Sequence, residues 1–145
     1  MNIAPADPHD LDRFVTAQKD IFDRALSELR TGEKRSHWMW FIFPQVSGLG
    51  SSSMARRYAI RSRAEAAAYL QHPLLGHRLA ECAEALLSVH NRSAEDIMGY
   101  PDYLKLQSSM TLFAEISAPG SVFARVLERY YAGTSDPQTL AFLHR

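Results

Sequence analysis

The sequence predicts an all-α protein, a single compact multihelical domain of about eight helices spanning residues 1–145. Three observations predict it. Apolar residues recur at three- and four-residue spacing in one segment after another. Most of those segments open on a capping residue or a proline, and glycine or proline closes most of the longer ones. No segment pairs a strand pattern with a second segment able to serve as its partner.

Asp7-Pro8 opens the first helix, because Asp7 can accept from the free amides of a first turn and Pro8 suits the first helical position. Leu11, Phe14, Val15, Phe22, Ala25, Leu26 and Leu29 then share one face, and Gly32 stops a helix over residues 8–30. Ser36 caps a short helix through Phe43, which Pro44 ends. Periodicity alone does not exclude a strand in that block, and helix is preferred for want of a partner strand. Residues 44–51 form a loop, after which Ser52 or Ser53 caps a helix through Ala59. Ser62-Arg63-Ala64-Glu65 has the form of a capping box, continued by Ala66 to Leu70. His72-Pro73 begins a helix over 73–89, with Leu75, Leu79, Ala83, Leu86 and Leu87 facing the core. Ser93 to Met98 is a short helix with Gly99 as its C-cap, and Pro101 starts one that runs to about Ile116. Pro119-Gly120 breaks the chain, Ser121 caps a helix ending at Gly133, and Asp136-Pro137 repeats the opening device of the first helix.

Composition narrows the function classes. Sixteen basic and sixteen acidic residues balance to a formal charge of zero, which argues against a general nucleic-acid binder while leaving room for a local basic patch. One cysteine, Cys82, excludes an intramolecular disulfide and a cysteine-based zinc cluster, and its helical spacing makes it a small core residue. None of the histidines forms an HxxxH or HExxH pair, so no metal is expected, and no cofactor motif is present. The N-terminus lacks a signal-peptide pattern, and the longest apolar run, Trp38 to Phe43, is too short to span a bilayer. A cytoplasmic location follows as the expectation.

The chemistry-bearing stretch is Ser36 to Gln45 followed by Val46 to Ser53. It combines both tryptophans with a glycine-serine loop and, just beyond it, Arg56 and Arg57. Gly48 and Gly50 let backbone amides approach a ligand, and a helix starting near Ser52 and Ser53 would favour an anion there. This is phosphate-binding physics without a Walker sequence. The bland alternative is a flexible turn with a serine cap. Trp38, Trp40 and Phe43 can stack a flat ring, with Gln45 beside them, but Trp38 and Trp40 point about 200° apart on a helix, so at least one is core. His37 is a candidate general base or phosphate partner, or else a structural residue near a helix start. Lys105 shares a helix face with Ser108 and Ser109, either as an anion or proton-transfer site or as small residues permitting close packing. Neither Ser-x-x-Lys nor Gly-x-Ser-x-Gly is present.

Several segments together resemble one family: Phe14-Val15-x-Ala17-Gln18, Ser36 to Gln45, Gly48-Leu49-Gly50, Tyr58-Ala59-Ile60, Glu65-Ala66-x-x-Tyr69-Leu70-x-His72-Pro73-Leu74-Leu75-Gly76-x-Arg78-Leu79 and Lys105-Leu106-x-Ser108-Ser109-Met110-Thr111-Leu112-Phe113. The sequence is similar to the bacterial domain of unknown function 1810, sometimes mislabelled calpastatin. The resemblance covers roughly residues 12–140 and implies an all-helical, two-lobed fold with no established activity. More faintly, Ala17-Gln18-Lys19 and the Glu65-Ala66 helix resemble a helical family linked with NAD and ADP-ribose metabolism.

Two functions follow as expectations. One is a site for a phosphate-bearing, ring-containing small molecule such as a nucleotide or ADP-ribose derivative, with His37 and Lys105 as proton-transfer candidates and Trp38, Phe43, Gln45, Gly48, Gly50, Ser52, Ser53, Arg56, Arg57, Ser108 and Ser109 as ligand contacts. The other is a non-catalytic helical interaction module in which the aromatic block is core. The exposure of the tryptophans discriminates them.

Overall fold

The computed structural model describes residues 6–145. Asp7 caps as expected, its carboxylate accepting from the amides of Leu11 at 2.8 Å and Asp12 at 3.0 Å, but the helix it serves, α1, runs only Asp12–Gln18. The expected helix over 8–30 is therefore two, because the chain turns at Lys19 to Ile21 before α2, Phe22–Thr31. The turn sends α1 against α3 and α2 against α6. The apolar spacing runs through it unbroken, so the sequence carries no mark of it.

The remaining elements are α3 (Met39–Ile42), α4 (Ser53–Arg57), α5 (Arg63–Gln71), α6 (Leu75–Leu87), α7 (Ala94–Met98), α8 (Asp102–Glu115), α9 (Val122–Tyr131) and α10 (Pro137–Leu143). Among the described residues that makes ten helices rather than about eight, and no strand beyond an isolated parallel bridge between Val46 and Ile60. Ser52, Ser62, Ser93, Ser121 and Asp136 each accept a hydrogen bond from the third residue beyond, so the expected caps hold. Two do not. Ser36 turns its hydroxyl to Glu28, leaving α3 a single uncapped turn that begins at Met39. Pro73 does not open α6; instead His72 Nδ1 accepts from the amides of Leu74 and Leu75, at 3.1 and 3.2 Å.

The centre of the fold is α8, where Ser108, Ser109, Met110, Thr111, Leu112 and Phe113 are all buried in succession. A helix buried all round must be surrounded, and α5, α7, α9 and α10 pack on it, while α6 lies against α2, α5 and α9. Ser108 and Thr111 serve this packing. Ser108 Oγ donates to Asp136 at 2.8 Å and Thr111 Oγ1 accepts from the Asp136 amide at 2.9 Å, which docks α10. Ser109 Oγ is buried with no hydrogen-bond partner among the described residues.

One cluster of buried side chains extends from Leu11 to Leu127, so the two lobes implied by resemblance do not have separate cores. A chain of ring contacts runs through it: Phe123 to Phe113 at 5.8 Å, Phe113 to Tyr69 at 5.5 Å, Tyr69 to Phe14 at 5.1 Å, Phe14 to Tyr58 at 5.7 Å and Tyr58 to Phe41 at 5.4 Å. Such edge and tilted pairs add to area burial, and here they fix Tyr58 and α3 relative to the rest. Gln18 completes the join, its buried amide donating to the Phe41 carbonyl at 2.7 Å and to Tyr69 Oη at 3.2 Å. Cys82 is buried as expected, and burial pushes its thiol up to about 12.

Candidate functional site

The two tryptophans separate as their spacing requires, and the separation decides their roles. Trp38 is wholly buried. An indole N–H in a core needs an acceptor, and Glu28 of α2 supplies it at 2.9 Å. The same carboxylate accepts from the amides of Arg35 at 2.8 Å and Ser36 at 3.0 Å and from Ser36 Oγ at 2.6 Å. Burial raises the Glu28 pKa, but the bonds from Ser36, Arg35 and Trp38 outweigh it and hold the group down to about 2. Phe43 is also buried, 6.2 Å from Trp38. Trp40 is only partly buried and is packed on the core from its rim. Trp38→Ala is expected to cost about 3–5 kcal/mol, the range for large aromatics removed from a core. Trp40→Ala should cost roughly 1–2 kcal/mol, as is common for partly exposed positions. Urea unfolding of the two variants checks this, and equal losses would contradict it.

Trp40 forms one wall of a partly open cavity of about 100 Å³. Gln45, Arg56, Tyr58 and Arg61 supply other side chains, and the loop backbone at Ser47, Gly48 and Gly50 closes it. The loop base is pinned by two bonds, from the Ser47 amide to the Ile60 carbonyl at 2.9 Å and from the Ile60 amide to the Gln45 carbonyl at 2.8 Å. Behind the cavity, Arg13 of α1 donates to the carbonyls of Arg57 and Ala59, each at 2.9 Å, and to Glu65 at 2.6 Å. Glu65 also accepts from the Arg61 amide at 3.2 Å, which takes up the carboxylate that a full capping box would have used. This buried pair sets where Arg61 leaves the chain. Gly50 lies against α4: a Cβ there would sit 2.7 Å from the Ala55 Cβ. A Gly50→Val change therefore disturbs the loop–α4 contact itself.

Of the residues singled out from sequence, Gln45, Gly48, Gly50 and Arg56 meet at this cavity. The others do not line it. Trp38 and Phe43 are core, and Ser52 accepts from the Ala55 amide at 3.1 Å as a cap. Ser53 is exposed on the first turn of α4, and Arg57 lies 5.6 Å from the Tyr58 ring. Ser108 and Ser109 are buried in α8. His37 is exposed. Lys105 stands 3.8 Å from Asp102 with its ammonium 5.8 Å from the Trp40 ring, at the margin of the aromatic wall. The two proton-transfer candidates do not line this cavity.

Sequence reasoning passed over Tyr58 and Arg61, left open which tryptophan is core, and placed Trp38 rather than Trp40 among the ligand contacts. A charge signal was available. From Lys34 to Ala64 the chain has no Asp or Glu, while it carries Lys34, Arg35, Arg56, Arg57, Arg61 and Arg63. In a chain of zero net charge that is a concentrated cationic stretch. Among the described residues neither Arg56 nor Arg61 forms an ion pair with a carboxylate.

The model of the family described as a protein of unknown function, DUF1810, matches residues 8–143. The chain belongs to that family. A solved structure, that of the conserved hypothetical protein Rv1873 from Mycobacterium tuberculosis, is similar over 96% of this chain and 99% of its own, with 53% sequence identity and a TM-score of 0.94. No curated protein matches the chain. Neither similarity carries an activity, so the chemistry of this DUF1810 protein rests on its own residues. No helix among its described residues is long and apolar enough to cross a membrane.

Proposed function

We propose that this DUF1810 protein binds a small phosphate-bearing, ring-containing molecule, of the nucleotide class, through the cavity beside Trp40. The observation that carries this reading is the composition of the cavity wall: Arg56, Arg61, Gln45 and a partly exposed tryptophan, with no acidic side chain among the lining residues. Two guanidinium groups without carboxylate partners are available to an anion, and Gln45 offers an amide donor. The amides of Gly48, Leu49 and Gly50 have no backbone partner among the described residues and lie in the same loop. The Lys105 ammonium lies 5.8 Å from the Trp40 ring centre. His37 and Lys105 stand off the cavity, so the reading is binding rather than catalysis. We place the protein in the cytoplasm, in keeping with its single free cysteine.

Titration calorimetry with inorganic phosphate and adenosine 5′-monophosphate tests this. Arg61→Ala is expected to weaken binding of both by about 1.5–3 kcal/mol, the range for hydrogen bonds to charged groups. Added salt should weaken it further, since the attraction is partly Coulombic at an open-sided site. An isotherm that does not saturate, or one the variant leaves unchanged, would remove the proposal. The interaction-module reading would then stand, favoured by Tyr100 and Leu104, which are 78% and 43% exposed at the start of α8.

A further inference from the structure

The cavity is too small to hold the whole of the molecule proposed for it. At about 100 Å³ it falls below the roughly 300–1,000 Å³ of ordinary small-molecule sites and takes one compact group. The rest of a ligand must lie outside, and one direction is prepared for it. Ser47 and Gly48 are shared with a second, more open hollow of about 430 Å³, whose other walls include Leu49, Gln138, Phe142 and Arg145. One of the two residues that divide the hollows, Gly48, thus has no side chain. Gly48 has φ +94°, and a Cβ built there meets nothing within 4 Å. In the second hollow the Arg145 guanidinium lies over the Phe142 ring at 4.4 Å. The pair presents a flat, positively charged face, on which heteroaromatic rings stack. Again no acidic side chain lines the space. The platform has a firm footing, because α10 is tied to α8 through Asp136, which accepts from Ser108 at 2.8 Å and from Thr139 Oγ1 at 2.5 Å.

Building on the proposed function, we propose a polarity for the ligand: its phosphate enters the cavity between Arg56 and Arg61, and its ring crosses over Gly48 to lie on the Phe142–Arg145 platform. The two hollows form one bipartite site for an elongated molecule with an anionic head and an aromatic tail. Trp40 then walls the head group and is not the surface on which the ring stacks.

The experiment is a calorimetric titration of the full chain and its variants with inorganic phosphate, as the head alone, and with adenosine 5′-monophosphate, as head plus ring. Adenosine 5′-monophosphate is expected to bind at least about tenfold more tightly than phosphate, within what base stacking contributes. Phe142→Ala should weaken the nucleotide by about five- to 150-fold, the span of one lost stacking contact, while leaving phosphate within about twofold. Arg145→Ala is the companion variant, exposed and so without consequence for folding, and it should move the nucleotide in the same direction and leave phosphate unchanged. Arg61→Ala should weaken both ligands. If phosphate and nucleotide bind equally, or if Phe142→Ala and Arg145→Ala leave the nucleotide unaffected, the bipartite site is wrong while the anion cavity stands. Failure of both ligands to bind overturns the cavity and its extension together.

Discussion

Gly76→Ala is expected to destabilise the protein by about 3 kcal/mol or more, although alanine is the better helix former. Gly76 lies in the first turn of α6, where the chain has just doubled back from α5. A Cβ built on it would stand 2.0 Å from the Leu70 carbonyl oxygen and 2.8 Å from the Leu70 carbonyl carbon. Both atoms are backbone, so no rotamer change relieves the contact, and α5 and α6 must separate. Their contact is among the main ones in the fold, and it carries Tyr69 and Leu75, both wholly buried. The helix-propensity gain of about 1 kcal/mol offsets only part of this. Thermal unfolding should show a fall of roughly 10 °C for a chain of this length. An unchanged or raised midpoint would mean that the α5–α6 corner opens without loss.

Glu28→Ala should be as damaging, at about 3–5 kcal/mol, by a different route. The carboxylate gathers four donors: the Arg35 and Ser36 amides, Ser36 Oγ and Trp38 Nε1. Removing it leaves the buried indole N–H without a partner and releases the chain between α2 and α3. Glu28→Gln keeps one acceptor oxygen and should cost less. The same group makes stability depend on acid. Its folded pKa, about 2, lies below its ordinary value of 4.5, so its contribution is complete above pH 4.5 and is lost as pH falls towards 2. The shift corresponds to a contribution on the order of 3 kcal/mol. Urea midpoints measured from pH 6 down to pH 3 should fall for the wild type and fall less for Glu28→Gln. Parallel curves would show that Glu28 is not the group responsible.

How far the site was legible can be seen in its residues. Gly48, Gly50, Gln45 and Arg56 were visible because glycines, donors and a cation lie close together in sequence, directly after aromatic residues. Trp38 and Trp40 were visible as a pair that must diverge, since residues two apart on a helix cannot share a face. Which of them was core was not visible. That depended on Glu28, ten residues earlier on another helix, turning its carboxylate to Trp38. Arg61 and Tyr58 were missed because their place at the cavity comes from the Val46–Ile60 bridge and from Arg13 gripping the Arg57 and Ala59 carbonyls. Periodicity carries no sign of such contacts. Phe142 and Arg145 are farther still, reaching the loop only because Asp136 docks α10 on α8.

The sequence by itself determined the helical class, most helix starts and the location of the chemistry-bearing loop. These are local properties: apolar spacing, a serine or aspartate three residues before an unpaired amide, a glycine where the backbone turns. The tertiary structure decided the break at Lys19 to Ile21, the burial of Trp38 over Trp40, and the assembly of the cavity from residues 40 to 61. It also sent Lys105 to the margin of that site and His37 to the surface. Each of these depends on a partner distant in the chain. A buried donor takes whichever acceptor the packing brings to it, and no pattern of neighbours in sequence specifies which one that is.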